Sequence, residues 1–363
     1  MNPPTLRVAV LPRDANPYQA LLYGAMADHG VTTTYLGELS RSHTVNVLAL
    51  PAQVLARASE IDVVHLHWVW AFQLPGRRRF RVVGALSEAW FHVFLRAVRA
   101  SGARFVWTAH NVLPHQPVFW DDVRARRALV AAADLVVVHH ASTLDELAAI
   151  GVHPRVWTVV PHGPFGRPAA VPEVTAVREG PIRIGFVGAV ATYKGIEDLL
   201  EAFGRLPRGT ARLLVAGACT DPDLEAWVRE RAGSLGADVD VQLRRLTDEE
   251  LGRVLGEVDV LALPYRTVTT SGSALLGLGA GLPLVVPDLP ALAGLPNDAV
   301  FRYPGPESLA DCLAGVVGTP RDRLRAMGEA GRDAATAVSW EEIGGLTAQL
   351  FRTLTSSSAA ALP

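Results

Sequence analysis

Lys194 is the only lysine in the chain; every other strong base is an arginine. It lies in the turn Gly188-Ala189-Val190-Ala191-Thr192-Tyr193-Lys194-Gly195, between an apolar run, Ile182 to Val187, and the helix-like stretch Ile196 to Phe203. A strand, a glycine turn and a helix start together offer backbone N–H groups and the positive end of a helix to phosphate. A lysine kept there, where arginine serves everywhere else, points to a compact ammonium rather than a guanidinium fork. The plainer alternative is a lysine capping a surface turn. A second such start follows Leu261-Ala262-Leu263-Pro264-Tyr265-Arg266, where the hydroxyl loop Thr267-Val268-Thr269-Thr270-Ser271-Gly272-Ser273 opens a short helix stopped by Gly281 and Pro283. Ser271-Gly272-Ser273 puts hydroxyls and bare N–H groups at that helix start, which makes either an anion site or a simple N-cap. The pair of starts suits a diphosphate better than either alone, and Arg266 would add a charge-assisted contact.

Histidines form a third set. His65, His67, His110, His115, His139 and His140 all follow apolar runs that read as strands, and α/β sheets bind ligands at the carboxyl ends of their strands. Each taken alone is more often structural than functional. His110 leads, because it directly follows a short apolar strand and has small and amide neighbours; it could act as a base on a hydroxyl or hydrogen-bond a sugar. No Asp or Glu stands near it at ligand spacing, so no metal is expected there.

The elements that must position these residues alternate in a βαβ manner. Leu6 to Leu11 and Val31 to Tyr35 read as strands around a helix whose face carries Leu21, Leu22, Ala25 and Met26. Val63 to Trp68 ends a central strand, and Phe105 to Thr108, Leu135 to Val138 and Thr158 to Val160 follow as further strands. After a Pro- and Gly-rich passage the pattern resumes, with strands at 182–187, 213–216, 239–242, 260–263 and 284–286. This is the pattern of two doubly wound parallel-sheet domains. The expected divisions are 1–165, a linker at 166–178, a second domain at 179–340, a C-terminal helix at 341–354 packing back on the first domain, and a disordered tail at 355–363. Ser339-Trp340-Glu341-Glu342 reads as the cap of that helix.

Composition limits the function. The formal charge is −2, which gives no general drive toward nucleic acid. Cys219 and Cys312 form neither a disulfide framework nor a zinc site, and Met1 to Thr5 lead into a strand without a secretory core. A cytoplasmic setting is therefore expected. Residues 76–100 hold Arg77, Arg78, Arg79 and Arg81, then Leu86, Trp90, Val93, Phe94 and Ala97 at helical spacing. This stretch is either a helix covering the sheet behind a solvated basic turn, or a surface suited to an anionic membrane or a lipid-pyrophosphate acceptor.

In this order the motifs resemble glycosyltransferase family 4 and its relatives of the GT-B fold, over nearly the whole chain. Phe186-Val187-Gly188 with Tyr193-Lys194-Gly195 and the helix after it resembles the family's diphosphate-binding segment. Leu213 to Gly217, Asp248 to Leu251, Asp259 to Pro264 and Gly281-Leu282-Pro283-Leu284-Val285-Val286 resemble its later motifs. Val64-His65-Leu66-His67-Trp68, Thr108-Ala109-His110-Asn111 and Val160-Pro161-His162-Gly163 also resemble the family. Its Glu-x7-Glu pair would fall at Val268 and Leu276, and the arginine after its first motif glycine would fall at Ala189; none of these matches. Asp14-Ala15-Asn16-Pro17-Tyr18 stands where a glycine-rich loop is usual. The version here is similar to a divergent branch that builds bacterial glycolipids and exopolysaccharides, with some inverting mannosyltransferases in it.

The resemblance implies two Rossmann-like domains facing a central cleft. It also implies transfer of a hexose from a GDP- or UDP-sugar to a hydroxyl of a glycolipid, polysaccharide precursor or small-molecule acceptor. On it, Gly188, Tyr193, Lys194, Gly217, Arg266, Thr270, Ser271, Gly272 and Ser273 would hold the nucleotide-sugar. Asn16, His67, Trp68, Asn111 and His115 would meet the acceptor, and His110 and Lys194 would carry the chemistry. No metal or resident cofactor is implied, and no nucleic acid. A peripheral membrane contact through Arg77 to Arg81 and the following helix would put the enzyme at the inner face of the membrane. Three alternatives stand beside this reading: a nucleotide-sugar epimerase of the same fold, which needs the same diphosphate cradle but no acceptor, a pseudo-glycosyltransferase, and an inactive partner of the same fold, to which the missing acidic pair points.

Overall fold

The computed structural model describes residues 5–14, 16–77, 80–114, 116–165 and 179–356. The chain divides into two compact units, Met1–Gly163 with Ser339–Pro363, and Pro164–Val338. The expected linker 166–178 lies outside the described residues, as do 357–363 of the expected tail, His115, Arg78 and Arg79.

The first unit has a six-stranded parallel sheet of β1 (Leu6–Leu11), β2 (Val31–Tyr35), β3 (Val63–Leu66), β4 (Arg104–Ala109), β5 (Leu135–Val138) and β6 (Trp157–Val159). Its order is β2-β1-β3-β4-β5-β6. Helices α1 (Pro17–Asp28), α2 (His43–Ala56), α3 (Arg81–Ser101), α4 (Asp122–Ala132) and α5 (Ser142–Ala149) connect the strands. β3 and β5 are buried along their whole length, as strands covered on both faces are; β5 is an unbroken apolar run, and β3 is one but for the buried His65. The order reverses between β1 and β3, which makes the carboxyl ends of those strands a topological switch point.

The second unit has β7 (Ile182–Val187), β8 (Ala211–Ala216), β9 (Val239–Gln242), β10 (Val260–Ala262), β11 (Leu284–Pro287) and β12 (Val300–Tyr303). They are parallel in the order β12-β11-β10-β7-β8-β9. Helices α6 (Ile196–Phe203), α7 (Pro222–Leu235), α8 (Asp248–Glu257), α9 (Gly272–Gly279), α10 (Leu309–Val317) and α11 (Arg321–Thr336) complete the unit. Strand alternation sorts its core into two clusters. Ile184, Phe186, Val260 and Val285 belong to one; Val187, Leu261, Leu284 and Val286 belong to the other. The switch point lies between β7 and β10, so the two glycine- and hydroxyl-bearing exits of the sequence leave neighbouring strands.

The last helix, α12 (Trp340–Ser356), belongs to the first unit and packs on α1. Its start is the expected capping pair: Glu342 N–H donates to Ser339 Oγ at 3.1 Å, and Ser339 N–H donates to Glu342 Oε2 at 2.8 Å. It continues to Ser356, so the first two residues of the expected tail are helical.

Two sequence expectations need correction. On α1 the buried face is Tyr18, Gln19, Leu22, Tyr23 and Met26, with Leu21 and Ala25 only half-buried. On α3 the buried stripe is Ser87, Phe91, Phe94, Leu95 and Val98, whereas Leu86 and Val93 of the expected stripe are 58 % and 37 % exposed. A helix this long, with apolar residues on more than one side, does not reveal its inner face by spacing alone.

Candidate functional site

In the first unit the strand ends converge on a cluster of aromatic rings. His67, His110 and His139 each stand one residue beyond β3, β4 and β5. The β4–β5 register pairs Ala109 with Val138, so continuing it sets His110 level with His139. α1 supplies Tyr18 and Tyr23 from its buried face, and β6 leads through Val160 to His162. The Tyr18 ring lies 4.7 to 5.7 Å from the ring centres of His67, His110, His139, His162 and Trp340. Trp68 stacks on His110 at 4.4 Å.

A continuous series of hydrogen bonds threads these rings. Thr108 Oγ1 lies 2.7 Å from His65 Nε2, and His65 Nδ1 lies 2.7 Å from the Tyr23 hydroxyl. That hydroxyl lies 2.7 Å from His67 Nε2, and His67 Nδ1 lies 2.9 Å from His110 Nε2. His110 Nδ1 lies 3.3 Å from His139 Nε2, and His139 Nδ1 donates to the Val160 carbonyl at 2.8 Å. Burial pushes the ring pKa values down to about 3 for His65 and His139 and about 4 for His162; His67 and His110 fall well below 6.5 through burial and neighbouring rings. All five rings are therefore neutral at physiological pH. Among the described residues no group of three His, Cys, Asp or Glu side chains is disposed to hold a metal ion.

Of the expected acceptor residues, His67 is fully buried inside this series, and Trp68 and Asn111 are half-buried beside it in sequence. Asn16 is the exposed N-cap of α1, its side chain accepting from Tyr18 N–H at 3.0 Å. Tyr18 and Tyr23 were not expected from sequence. The one available sign was two tyrosines at i, i+5 amid small residues, which does not favour a ligand over a core.

In the second unit the two anion-type exits meet. Lys194 Nζ lies 3.5 Å from Ser273 Oγ, 79 residues away, and 5.7 Å from the centre of the Tyr265 ring. Tyr265 and Ser271 share a 2.6 Å hydrogen bond, and Ser271 Oγ accepts from Ala274 N–H as the N-cap of α9. Burial lowers the Lys194 pKa from its usual 10.5, while the neighbouring Tyr193 acts the other way. Gly188 adopts φ 129°, and a Cβ on it would stand 2.9 Å from both Lys194 Nζ and Ser273 Oγ. Glycine is thus demanded there by conformation and by space. Gly217, φ 149°, lets the β8 exit press against the Gly188 carbonyl.

The Tyr193 carbonyl accepts from Arg266 N–H at 2.9 Å, which ties the two loops together. The buried Thr270 hydroxyl has no partner among the described residues and adjoins Ser271. The Arg266 side chain differs from the sequence expectation of a phosphate contact. Its fork pairs with Asp198 at 2.7 and 2.9 Å and with Glu197 at 3.3 Å, and these two carboxylates of the first turn of α6 offset its charge. The two positions of the missing acidic pair, Val268 and Leu276, pack against the core. Tyr265 was missed in the sequence because it reads as the tail of an apolar strand.

Residues 181–318 match the family model described as "Glycosyl transferases group 1". The chain is 26% identical over 357 residues, 94% of its length and 93% of the relative's, to a GDP-mannose:glycolipid 4-beta-D-mannosyltransferase of Xanthomonas campestris pv. campestris. It is 25% identical to a D-inositol 3-phosphate glycosyltransferase of Kribbella flavida, covering 86% of this chain and 76% of that one. Among solved structures, sucrose-phosphate synthase of Thermosynechococcus elongatus superposes with a TM-score of 0.75 at 17% identity, covering 97% of this chain and all of that one. Anabaena HepE in complex with UDP and glucose does so at 0.69 and 13%, covering 96% and 100%. Both likenesses identify the GT-B fold.

Proposed function

We propose, from the premise that this chain is a family-4-like glycosyltransferase of the GT-B fold, that it moves a hexose from a GDP- or UDP-sugar to a hydroxyl of a glycolipid, polysaccharide precursor or small-molecule acceptor. The observation that carries the donor half is the desolvated Lys194 ammonium set against Ser273 at the start of α9. The leaving group is a diphosphate, so its developing charge is what the protein must stabilise. Lys194, the N–H groups at the starts of α6 and α9, and the hydroxyls of Thr270, Ser271 and Ser273 would meet that charge. No metal is assigned to the step. His110, at the β4 exit, would meet the reacting sugar, and the first unit would take the acceptor.

The relative that matches along almost its whole length is named for GDP-mannose and a glycolipid, which supports a GDP-sugar and a lipid-linked acceptor before the other choices. The apolar Val268 and Leu276 keep one second reading in play, an inactive partner of the same fold. Turnover separates the two. Incubation with GDP-mannose or UDP-glucose and a glycolipid acceptor is expected to release the nucleoside diphosphate, and excess EDTA is expected to leave the rate unchanged. No release with any donor and acceptor would favour the inactive partner, and a rate abolished by EDTA and restored by a divalent cation would refute the metal-free step.

Membrane contact is the second half of this reading. Phe80, Val82, Leu86 and Val93 are exposed on and before α3, and Val45 and Leu48 are exposed on α2, which packs beside it. Arg81 lies over Trp120, itself exposed, at 4.9 Å, while Arg77 turns inward to the Phe119 carbonyl. Among the described residues no helix is long and apolar enough to cross a membrane. The protein is expected to co-sediment with phosphatidylglycerol vesicles, less so at high salt, and Phe80→Ser with Leu86→Ser is expected to release it. Equal sedimentation of the double variant would sink the assignment of that face.

A further inference from the structure

The hydrogen bonds through the histidine cluster permit only one arrangement of protons. A carbonyl oxygen can only accept, so His139 Nδ1 carries a hydrogen for Val160. The ring is neutral, so His139 Nε2 is a lone pair, and His110 must donate to it from Nδ1. His110 Nε2 is then an acceptor, filled by His67 Nδ1–H. His67 Nε2 in turn accepts the Tyr23 hydroxyl proton. The Tyr23 oxygen, having given its one proton, accepts from His65 Nδ1–H, and His65 Nε2 accepts from Thr108. Reversing any link would place two protons in one bond, set two lone pairs against each other across one, or require a charged ring in a buried cluster.

We propose that His139, anchored on the Val160 carbonyl, is a positioning residue that fixes the direction of this series, so that His110 can meet a ligand only as an Nδ1–H donor and never as a base. His110 is half-buried, whereas His65, His67 and His139 are closed off. Its lone-pair nitrogen is covered by the 2.9 Å bond from His67, and its N–H lies on the longest link of the series, 3.3 Å. An incoming oxygen acceptor can take that N–H from His139; an incoming hydroxyl finds no free lone pair to give its proton to. The series also ends on a carbonyl, so it cannot carry a proton away from His110. It works as a lock and not as a relay.

The tautomers stand on the hydrogen-bond geometry together with the neutrality of the buried rings; the consequence for a sugar oxygen rests on the glycosyltransferase reading. Two experiments separate them. In the full chain labelled with 15N-histidine, long-range 1H–15N spectra at neutral pH are expected to show His65, His67, His110 and His139 all neutral with the proton on Nδ1. Tyr23→Phe is expected to leave His67, His110 and His139 unchanged and to free only His65. His139→Phe is expected to give His110 and His67 mixed tautomers. A proton on His110 Nε2, or a charged His110, in the unmodified chain would overturn the proposal even if both variants failed to fold. On turnover, His110→Gln keeps an amide donor and a carbonyl acceptor but no base. It is expected to stay within about tenfold of wild type while His110→Ala falls about a hundredfold or more. Equal loss in both variants with the Nδ1–H tautomer intact would overturn the donor role at the reacting sugar and leave the lock standing.

Discussion

Acidification from about pH 7.5 to about pH 5 is expected to unfold the first unit. Burial holds His65 and His139 at about 3 and His162 at about 4, with His67 and His110 well below the ordinary 6.5. The sign follows from where protons bind. Above 6.5 neither folded nor unfolded chain protonates these rings, so nothing is lost. As the pH falls below 6.5 the unfolded chain takes up protons that the folded cluster refuses. Stability is therefore lost progressively from 6.5 toward the folded values. Each ring costs about 1.4 kcal/mol per pH unit in that window. His65, His139 and His162 together lose roughly 3–4 kcal/mol within the first pH unit below 6.5, a sizeable share of the ~5–15 kcal/mol that holds a whole domain, and His67 and His110 act in the same direction.

All eleven histidines of the chain lie between His29 and His162, so the second unit carries none of this sensitivity. Urea unfolding followed by tryptophan fluorescence across that pH range measures the effect. A midpoint at pH 5 equal to that at pH 7.5 would mean that the cluster is hydrated or protonated in the native protein, and both the neutral series and the donor assignment of His110 would fall with it.

Lys194→Ala is expected to lower turnover about 10²–10³-fold, the usual cost of removing one preorganised group from a developing anion. Lys194→Arg is expected to rescue little. The ammonium sits where a Gly188 Cβ would be only 2.9 Å away, with Ser273 Oγ equally near that point, and a planar guanidinium is larger than this space. Gly188→Ala should act in the same direction through geometry alone, because it strains φ 129° and presses on both groups. A Gly188→Ala protein with wild-type turnover would show that the closeness of Lys194 and Ser273 does not matter to the reaction.

Much of this was legible in the sequence, for physical reasons that differ by element. Parallel strands buried on both faces are written as largely apolar runs, as β5 and β7 are, and the boundaries of β1, β2, β5, β7 and β9 coincide with those read from the sequence, although β2 and β9 are polar edge strands. β12 was not seen, because Val300-Phe301-Arg302-Tyr303 is short and carries a charge at an edge. The Lys194 and Ser271–Ser273 starts could be singled out because glycine, hydroxyl and a lone lysine are local signals. Their 3.5 Å approach depends on the switch between β7 and β10, which local sequence does not state.

Arg266 shows the same limit from the other side. A basic residue at a strand exit reads as a phosphate ligand until Asp198 and Glu197, 68 and 69 residues away, are seen to hold it. The histidines were visible one by one. That they form one series needed β3, β4 and β5 to be neighbours and α1 to insert Tyr23 between His65 and His67.

The central claim is that the second unit binds a nucleoside diphosphate through Lys194 and the start of α9. The measurement that reaches it most directly is thermal unfolding of the full chain with GDP, UDP, TDP or ADP, repeated with Lys194→Ala. A ligand at about a hundredfold excess over its Kd should add ~2.7 kcal/mol to the folded state. The expected result is a raised melting temperature with one diphosphate, GDP before UDP, that disappears in Lys194→Ala. No shift with any of the four, or a shift that survives the substitution unchanged, would contradict it.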